Sequence, residues 1–340
     1  MKTYEDDIKQ VFHLDLPWEK LSGCNILVTG ATGLIGGCLV DTLLANPQRD
    51  YDVYASGRNE ERAQKRFAEH FANGILHFVK YDVMVPLQSD IRFDYIIHAA
   101  SGANPLEYAK RPVEVMKSNI NGVSNLMDYG REHGMRRFLY VSSGEVYGEG
   151  DGREFTEDFS GFVNITSSRS CYPSSKRAAE TLCAAYAAEY GVDVVIARPC
   201  HIYGPHFIES DNRVFAQFIR NVLRDEDIVM KSTGEQFRSW CYVVDCVSAI
   251  LYILLKGEKV EAYNIADSNS IISIKDLAEM IAAIGGKKVI FEIPDAIEKS
   301  GYNVVDRSVF STIKLNKLGW HSHGDMRRNL YVSIMSNMKK

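Results

Sequence analysis

Tyr172 and Lys176 stand four residues apart in Tyr172-Pro173-Ser174-Ser175-Lys176, at the head of an Ala-rich stretch. On a helix this spacing puts both side chains on one face, one turn apart. A phenol with its ordinary pKa of about 10 is a poor base at neutral pH. An ammonium beneath it and a cationic ring beside it favour phenolate and lower that value. Such a tyrosine can take the proton of an alcohol while hydride leaves the carbon. The spacing alone is common, and its weight comes from context. Ser143, in Ser142-Ser143-Gly144-Glu145-Val146-Tyr147-Gly148, closes an apolar run and is placed to hydrogen-bond the reacting oxygen. It could instead only cap a strand end.

The context is a glycine turn. Gly30-Ala31-Thr32-Gly33-Leu34-Ile35-Gly36 follows the first apolar run and opens a helical pattern. The first glycine permits a tight turn, the second lets backbone approach a pyrophosphate, and the third lets helix and strand pack closely. Free N–H groups at the helix start then face the phosphates. The second apolar run ends in Ser56-Gly57-Arg58-Asn59, with Gly57 where an acid would hold the adenosine ribose in an NAD site. Arg58 could hold a 2′-phosphate, stack on adenine or face solvent, so NAD is expected and NADP stays open.

These residues need a scaffold. Short apolar runs at 25–29, 52–55, 76–79, 94–99, 138–143 and 194–198 alternate with helical patterns at about 59–73, 112–133 and 172–189. That alternation predicts an α/β fold, a Rossmann doubly wound parallel sheet. Beyond about residue 205 the pattern loosens, with a helix expected at 273–285 in a smaller C-terminal α/β substrate lobe. We expect a dinucleotide domain over 1–205 with a return segment near 240–266, and a substrate lobe from 206–239 and 267–340. Residues 1–22 read as an amphipathic lead-in, and 337–340 as a frayed tail.

The bulk numbers exclude other classes. With 46% hydrophobic and 24% charged residues the chain reads as an ordinary globular protein. A net charge of −5 and no basic run argue against nucleic acid or an acidic membrane as partner. No apolar stretch is long enough to span a bilayer. Seven cysteines without paired spacing read as reduced, packed thiols, and no cluster has metal-ligand spacing. With no apolar leader at the N-terminus, the expected place is the cytoplasm.

The motifs together resemble the extended short-chain dehydrogenases, in the nucleotide-sugar epimerase, dehydratase and decarboxylase branch, most of all UDP-glucuronate decarboxylases. The likeness runs from about residue 23 to Leu318-Gly319-Trp320. It rests on Ser143 to Gly148, on Arg169-Ser170-Cys171-Tyr172 with Lys176-Arg177, on Ala197-Arg198 with Tyr203-Gly204-Pro205, and on Arg238-Ser239-Trp240 leading to Asp245. It implies a nucleotide-diphosphate sugar as substrate and a C4 ketone as intermediate. It also implies Asp82 and Val83 near adenine, and Ala99, Ala100, Ser101, Asn119 and Pro199 along the cofactor.

By the same resemblance Arg238, with Arg213, grips the diphosphate, and His201 stands where relatives have Asn. A core histidine is the alternative there. Glu145 matches a family glutamate, or is a structural carboxylate. Arg169 could bind a substrate carboxylate or pair with an acid. Gly144 stands where a dehydratase carries its acid and decarboxylases a small hydroxyl residue, which argues against dehydration. Decarboxylation and 4-epimerisation both remain, with ketoreduction behind them. A non-catalytic cofactor sensor would tend to lose the Tyr/Lys pair. The helices at 112–133 and 172–189 resemble those of a family homodimer interface.

Overall fold

The structure is a computed structural model that describes residues 3–103, 105–292 and 307–338. Its strands are β1 (Asn25–Thr29), β2 (Asp52–Gly57), β3 (Leu76–Lys80), β4 (Tyr95–His98), β5 (Arg137–Val141), β6 (Val194–Pro199), β7 (His201–Tyr203), β8 (Ile228–Met230), β9 (Phe237–Tyr242), β10 (Ala262–Ile265), β11 (Ile271–Ser273), β12 (Val289–Phe291) and β13 (Arg307–Ser308). Seven of them form one sheet in the order β10-β6-β5-β4-β1-β2-β3, parallel at every pairing.

Helices make most of the crossovers between its parallel strands, although β3 passes to β4 without one, and the central strands are apolar because helices cover both faces. Ile26, Leu27 and Val28 of β1 are all fully buried, although they point alternately to opposite faces. Strand order reverses at β1, with β2 and β3 on one side and β4, β5 and β6 on the other. A ligand crevice is expected outside the carboxyl ends at that switch point. Gly30, Ala99, Ser143 and Pro199 all lie at those ends.

The late segment around 240–266 supplies β9, the buried helix Val243–Lys256 and β10, which joins the main sheet beside β6. Outside that sheet, β9 is flanked by β11 and β13 and also pairs with β7, while β12 pairs with β8. The helix expected over 59–73 is two, Glu60–Arg66 and Ala68–Ala72. The break is Phe67, whose backbone leaves helical geometry (φ −122°, ψ 32°) as its ring is buried.

The lead-in holds a helix, Tyr4–Gln10, started by a capping box on Thr3. It is tied down by Tyr4, which donates to Asp41, and by Asp7, which takes both guanidinium nitrogens of Arg328 at 2.6 Å. The tail is less frayed than expected. The helix Met326–Met338 runs through Asn337, which donates to the Ser333 carbonyl, while Lys339 and Lys340 lie outside the described residues.

Candidate active site

The glycine turn is shaped by contacts that a side chain would break. Gly30 has φ +68°, and a Cβ there would lie 2.8 Å from the Ala99 oxygen and the Ala100 Cα. A Cβ on Gly36 would overlap the Gly30 carbonyl. Gly33 caps the helix Leu34–Ala45 without a side-chain hydrogen bond, so the N–H groups at Leu34 and Ile35 have no capping side chain. Thr32 presents its carbonyl to the Arg62 guanidinium at 3.2 Å. Close backbone, uncapped N–H groups and the orphaned buried hydroxyl of Ser56 at the end of β2 fit a dinucleotide phosphate cradle.

The wall beside the cradle is polar and ordered. Thr29 Oγ1 lies 2.7 Å from His98 Nδ1, and burial, followed by Lys176, pushes the imidazole down to about 3, so it stays neutral. Asp82 accepts the Met84 N–H at 3.0 Å and so shapes its own turn. Val83 lies against Gly122, where a Cβ would come within 3.2 Å of it. Ser101 donates to Asn119 at 2.8 Å, and Asn119 donates to Ser175 at 2.9 Å, joining the end of β4 to the helix that carries Tyr172. Arg58 is exposed, and Pro199 is buried at the end of β6.

Tyr172 and Lys176 lie in the first turns of the helix Cys171–Tyr190, on one face as the spacing predicts. Lys176 is 1% exposed, so its ammonium is almost wholly stripped of water. Its Nζ donates to the Val141 carbonyl at 2.9 Å and lies 4.7 Å from the Tyr140 ring and 5.7 Å from the Tyr172 ring. Burial pushes the ammonium down to about 7. The Tyr172 phenol moves the opposite way from expectation, up to about 12, by burial and by the Glu145 charge. Hydrogen bonds from Ser143, Tyr108 and Ser101 oppose that rise without cancelling it. The pair is thus assembled as read, but the protein by itself does not make the phenol acidic.

Tyr108 is a site residue that sequence reasoning missed. Its ring stacks on Tyr172 with centroids 4.5 Å apart, and the Arg169 guanidinium lies 4.9 Å from its ring centre. Arg169 in turn binds both carboxylate oxygens of Glu145 at 3.1–3.2 Å. Of the two readings of Arg169, pairing with an acid is the one the structure shows. The partner is the glutamate from the turn after β5. Glu145 is therefore a half-exposed, ion-paired carboxylate two residues beyond Ser143. No local pattern marks Tyr108, which reaches the site on the short helix Pro105–Lys110.

Gly144 has a structural cause. A Cβ there would overlap the ring of Phe310, which arrives from the far end of the chain. Phe310 is buried with Val146, Tyr147 and Phe155, and its N–H donates to Ser239 Oγ at 3.1 Å. An aromatic ring thus takes the space beside the catalytic turn that a hydroxyl or acid would need.

The remaining predicted residues gather around β7 and β9. His201 pairs with Trp240 across the strands, with ring centroids 5.3 Å apart, and remains solvent-exposed. Surrounding protein, then the Arg238 and Arg213 cations, push its imidazole down to about 4. Arg238 donates to its neighbour's carbonyl at 2.8 Å. Arg213 starts the helix Val214–Leu223 and is paired with Asp211 through its Nε at 3.0 Å. His201 is a surface-accessible imidazole that feels the charges of Arg238 and Arg213 rather than a packed core histidine, a positive setting that suits an anion.

A parallel sheet with a glycine turn at its switch point, and a Ser, Tyr and Lys at its carboxyl edge, define a dinucleotide-dependent oxidoreductase-type site. The chain belongs to the NAD dependent epimerase/dehydratase family, whose pattern matches residues 26–266, and it is an NAD-dependent nucleotide-sugar enzyme of that family.

It is 35% identical over 263 residues to UDP-glucuronic acid decarboxylase 6 of Arabidopsis thaliana, covering 76% of this chain and 74% of the relative. It is 31% identical over 312 residues to decarboxylase 5 of the same plant, covering 91% and 88%. Among solved structures it resembles UDP-glucose 4-epimerase of Thermotoga maritima, with a TM-score of 0.78, 24% identity and coverage of 93% of this chain and 99% of that one. It also resembles a dTDP-glucose 4,6-dehydratase of Streptomyces venezuelae, with a TM-score of 0.80, 23% identity and coverage of 93% and 97%. At those identities the solved structures speak for the fold.

Proposed function

We propose that the enzyme oxidises C4 of a UDP-linked uronic acid and releases the C6 carboxylate as carbon dioxide. A dinucleotide held at the glycine turn would accept hydride from C4 and later return it, so that no net redox change remains. Ser143 holds the C4 oxygen, Tyr172 takes its proton, and Lys176 carries positive charge beneath the phenol and toward the cofactor ribose. A ketone at C4 makes the C6 carboxylate a β-keto acid. The C5–C6 bond then breaks, its electron pair moves through C5 onto the C4 oxygen, and C5 is reprotonated. Tyr172 then gives its proton back to the C4 oxygen. His201, Arg213 and Arg238 bind the diphosphate.

The observation that carries this reading is the Ser143–Tyr172–Lys176 assembly beside a turn whose acid position is filled by Phe310. Loss of water from C6 would need a proton donor there, and the ring excludes one. A second reading, 4-epimerisation, is favoured by Arg169. Its guanidinium is already held by Glu145 and is not committed to a substrate carboxylate. Ketoreduction would consume a reduced cofactor, and a non-catalytic sensor would have no use for the intact Tyr/Lys pair.

Incubating the purified enzyme with UDP-glucuronate, UDP-glucose and UDP-GlcNAc and weighing the products separates these outcomes. Loss of one carbon dioxide from UDP-glucuronate is expected. An unchanged mass with altered retention would replace the proposal by epimerisation.

Three coarser assignments go with it. The sugar nucleotide lies between the dinucleotide part, 1–205 with 240–266, and the lobe of 206–239 and 267–340. The chain forms a homodimer through the helices Pro112–Glu132 and Cys171–Tyr190, which pack together and leave Val113, Met116 and Tyr190 exposed. It works in the cytoplasm, a reducing compartment that suits seven unpaired cysteines. Among the described residues no helix is long and apolar enough to cross a membrane.

A further inference from the structure

The end of the dinucleotide site farthest from Tyr172 departs from the pattern that reads an unphosphorylated ribose. In that pattern a carboxylate at the end of the second strand accepts from both ribose hydroxyls. Here β2 ends at Gly57, and a Cβ built on it meets nothing within 4 Å. The strand end faces open space and no acid. The next residue, Arg58, is exposed.

A second cation comes to the same place. Asn59 caps the helix Glu60–Arg66 by accepting the Arg62 N–H at 2.8 Å, which fixes the Arg62 backbone. The Arg62 side chain turns back over the glycine turn and donates from Nη2 to the Thr32 carbonyl at 3.2 Å. Its guanidinium is partly desolvated, burial pushes its pKa down, and among the described residues it forms no ion pair. Glu60, two residues earlier and so on another face of the helix, accepts from Gln64 at 3.3 Å. A guanidinium held at a phosphate cradle without a counter-charge is a fork for an anion.

We propose that Arg58, next in sequence to the open backbone at Gly57, and Arg62, held over the glycine turn, form a site for a phosphate on the 2′-oxygen of the adenosine ribose, so that this enzyme accepts NADP and not NAD alone. The two guanidiniums supply the positive charge, and the missing carboxylate removes the repulsion that would otherwise exclude the phosphate. The inference rests on the dinucleotide reading of the glycine turn. It does not rest on decarboxylation, because the adenosine ribose and the reacting carbon lie at opposite ends of the cofactor.

The test uses nucleotides that lack nicotinamide, so catalysis does not enter. Affinities of the full chain for 2′,5′-ADP and 5′-ADP are measured by calorimetry, for the wild type and for Arg58→Ala, Arg62→Ala and the double variant, with melting curves as a fold check. The wild type is expected to bind 2′,5′-ADP about tenfold or more tightly than 5′-ADP. That preference should shrink with added salt and vanish in the double variant. Equal affinity of the wild type for the two nucleotides overturns the proposal, and so does a preference that survives loss of both arginines. If neither nucleotide binds, the dinucleotide reading of the turn falls with it, whereas an unexpected sugar product would leave this site untouched.

Discussion

At Tyr172 two opposing effects meet, and burial wins. The ring is covered by Tyr108 and faces the Glu145 charge, so its proton is held more tightly than in water. Lys176 is the counterweight, and its own pKa falls because its ammonium is buried. Between about 7 in the fold and the ordinary lysine value of 10.5, the unfolded chain binds the proton and the folded chain does not. Stability therefore rises with pH across that window, and below it the full cost of burying the ammonium is present. Lys176→Met is expected to raise the melting temperature at neutral pH while lowering turnover by about a hundredfold or more. A melt and a product assay on the same preparation check both halves.

His201 gives a second prediction at this scale. Its imidazole is pushed down to about 4, so it is neutral in the free protein near neutral pH. A bound diphosphate adds negative charge beside it and raises that value. UDP should bind more tightly as the pH falls toward about 5, with proton uptake visible as buffer-dependent heat in calorimetry. His201→Asn should bind with less pH dependence. An unchanged pH profile in that variant would assign the effect to other groups.

Among the elements, the turn Gly144–Tyr147 is coupled to the last part of the chain through the Phe310 ring. Gly144→Ser places atoms where the Phe310 ring lies and is expected to cost about 1–3 kcal/mol by overpacking. Phe310→Ala leaves a cavity and costs about 3–5 kcal/mol alone. The double variant should lose less than the sum of the two, which denaturant melts in a double-mutant cycle would measure. Additive losses would mean that the ring does not set the residue type at 144. Elements were legible where their period was long and clean, as in the helix Cys171–Tyr190 and strands β1 and β6. The stretch 59–73 was not, because no local signal shows that Phe67 turns into the core at the cost of a helical turn.

For the whole molecule, the two ends of the described chain hold each other. Asp7 is only 7% exposed at its side chain, and it is neutralised by Arg328 from the last helix with help from Tyr242. Arg328→Ala would leave a nearly buried carboxylate unpaired. Because the arginine itself is partly exposed, a loss of about 1–3 kcal/mol is expected by denaturant titration. Asp7→Asn combined with Arg328→Met should recover part of it, since no lone charge then stays buried.

The sequence by itself determined the parallel sheet, the glycine turn and the Tyr172/Lys176 pair. Each is written in local spacing, and spacing is what a helix turn or a strand–turn–helix reads. Only the tertiary structure decided that Arg169 holds Glu145, that Tyr108 lies on Tyr172, that Phe310 forbids a side chain at 144, and that Arg62 reaches the glycine turn. Those are contacts between residues distant in the chain. They depend on how packed elements close on one another, and that closure also set the direction of the Tyr172 shift through burial.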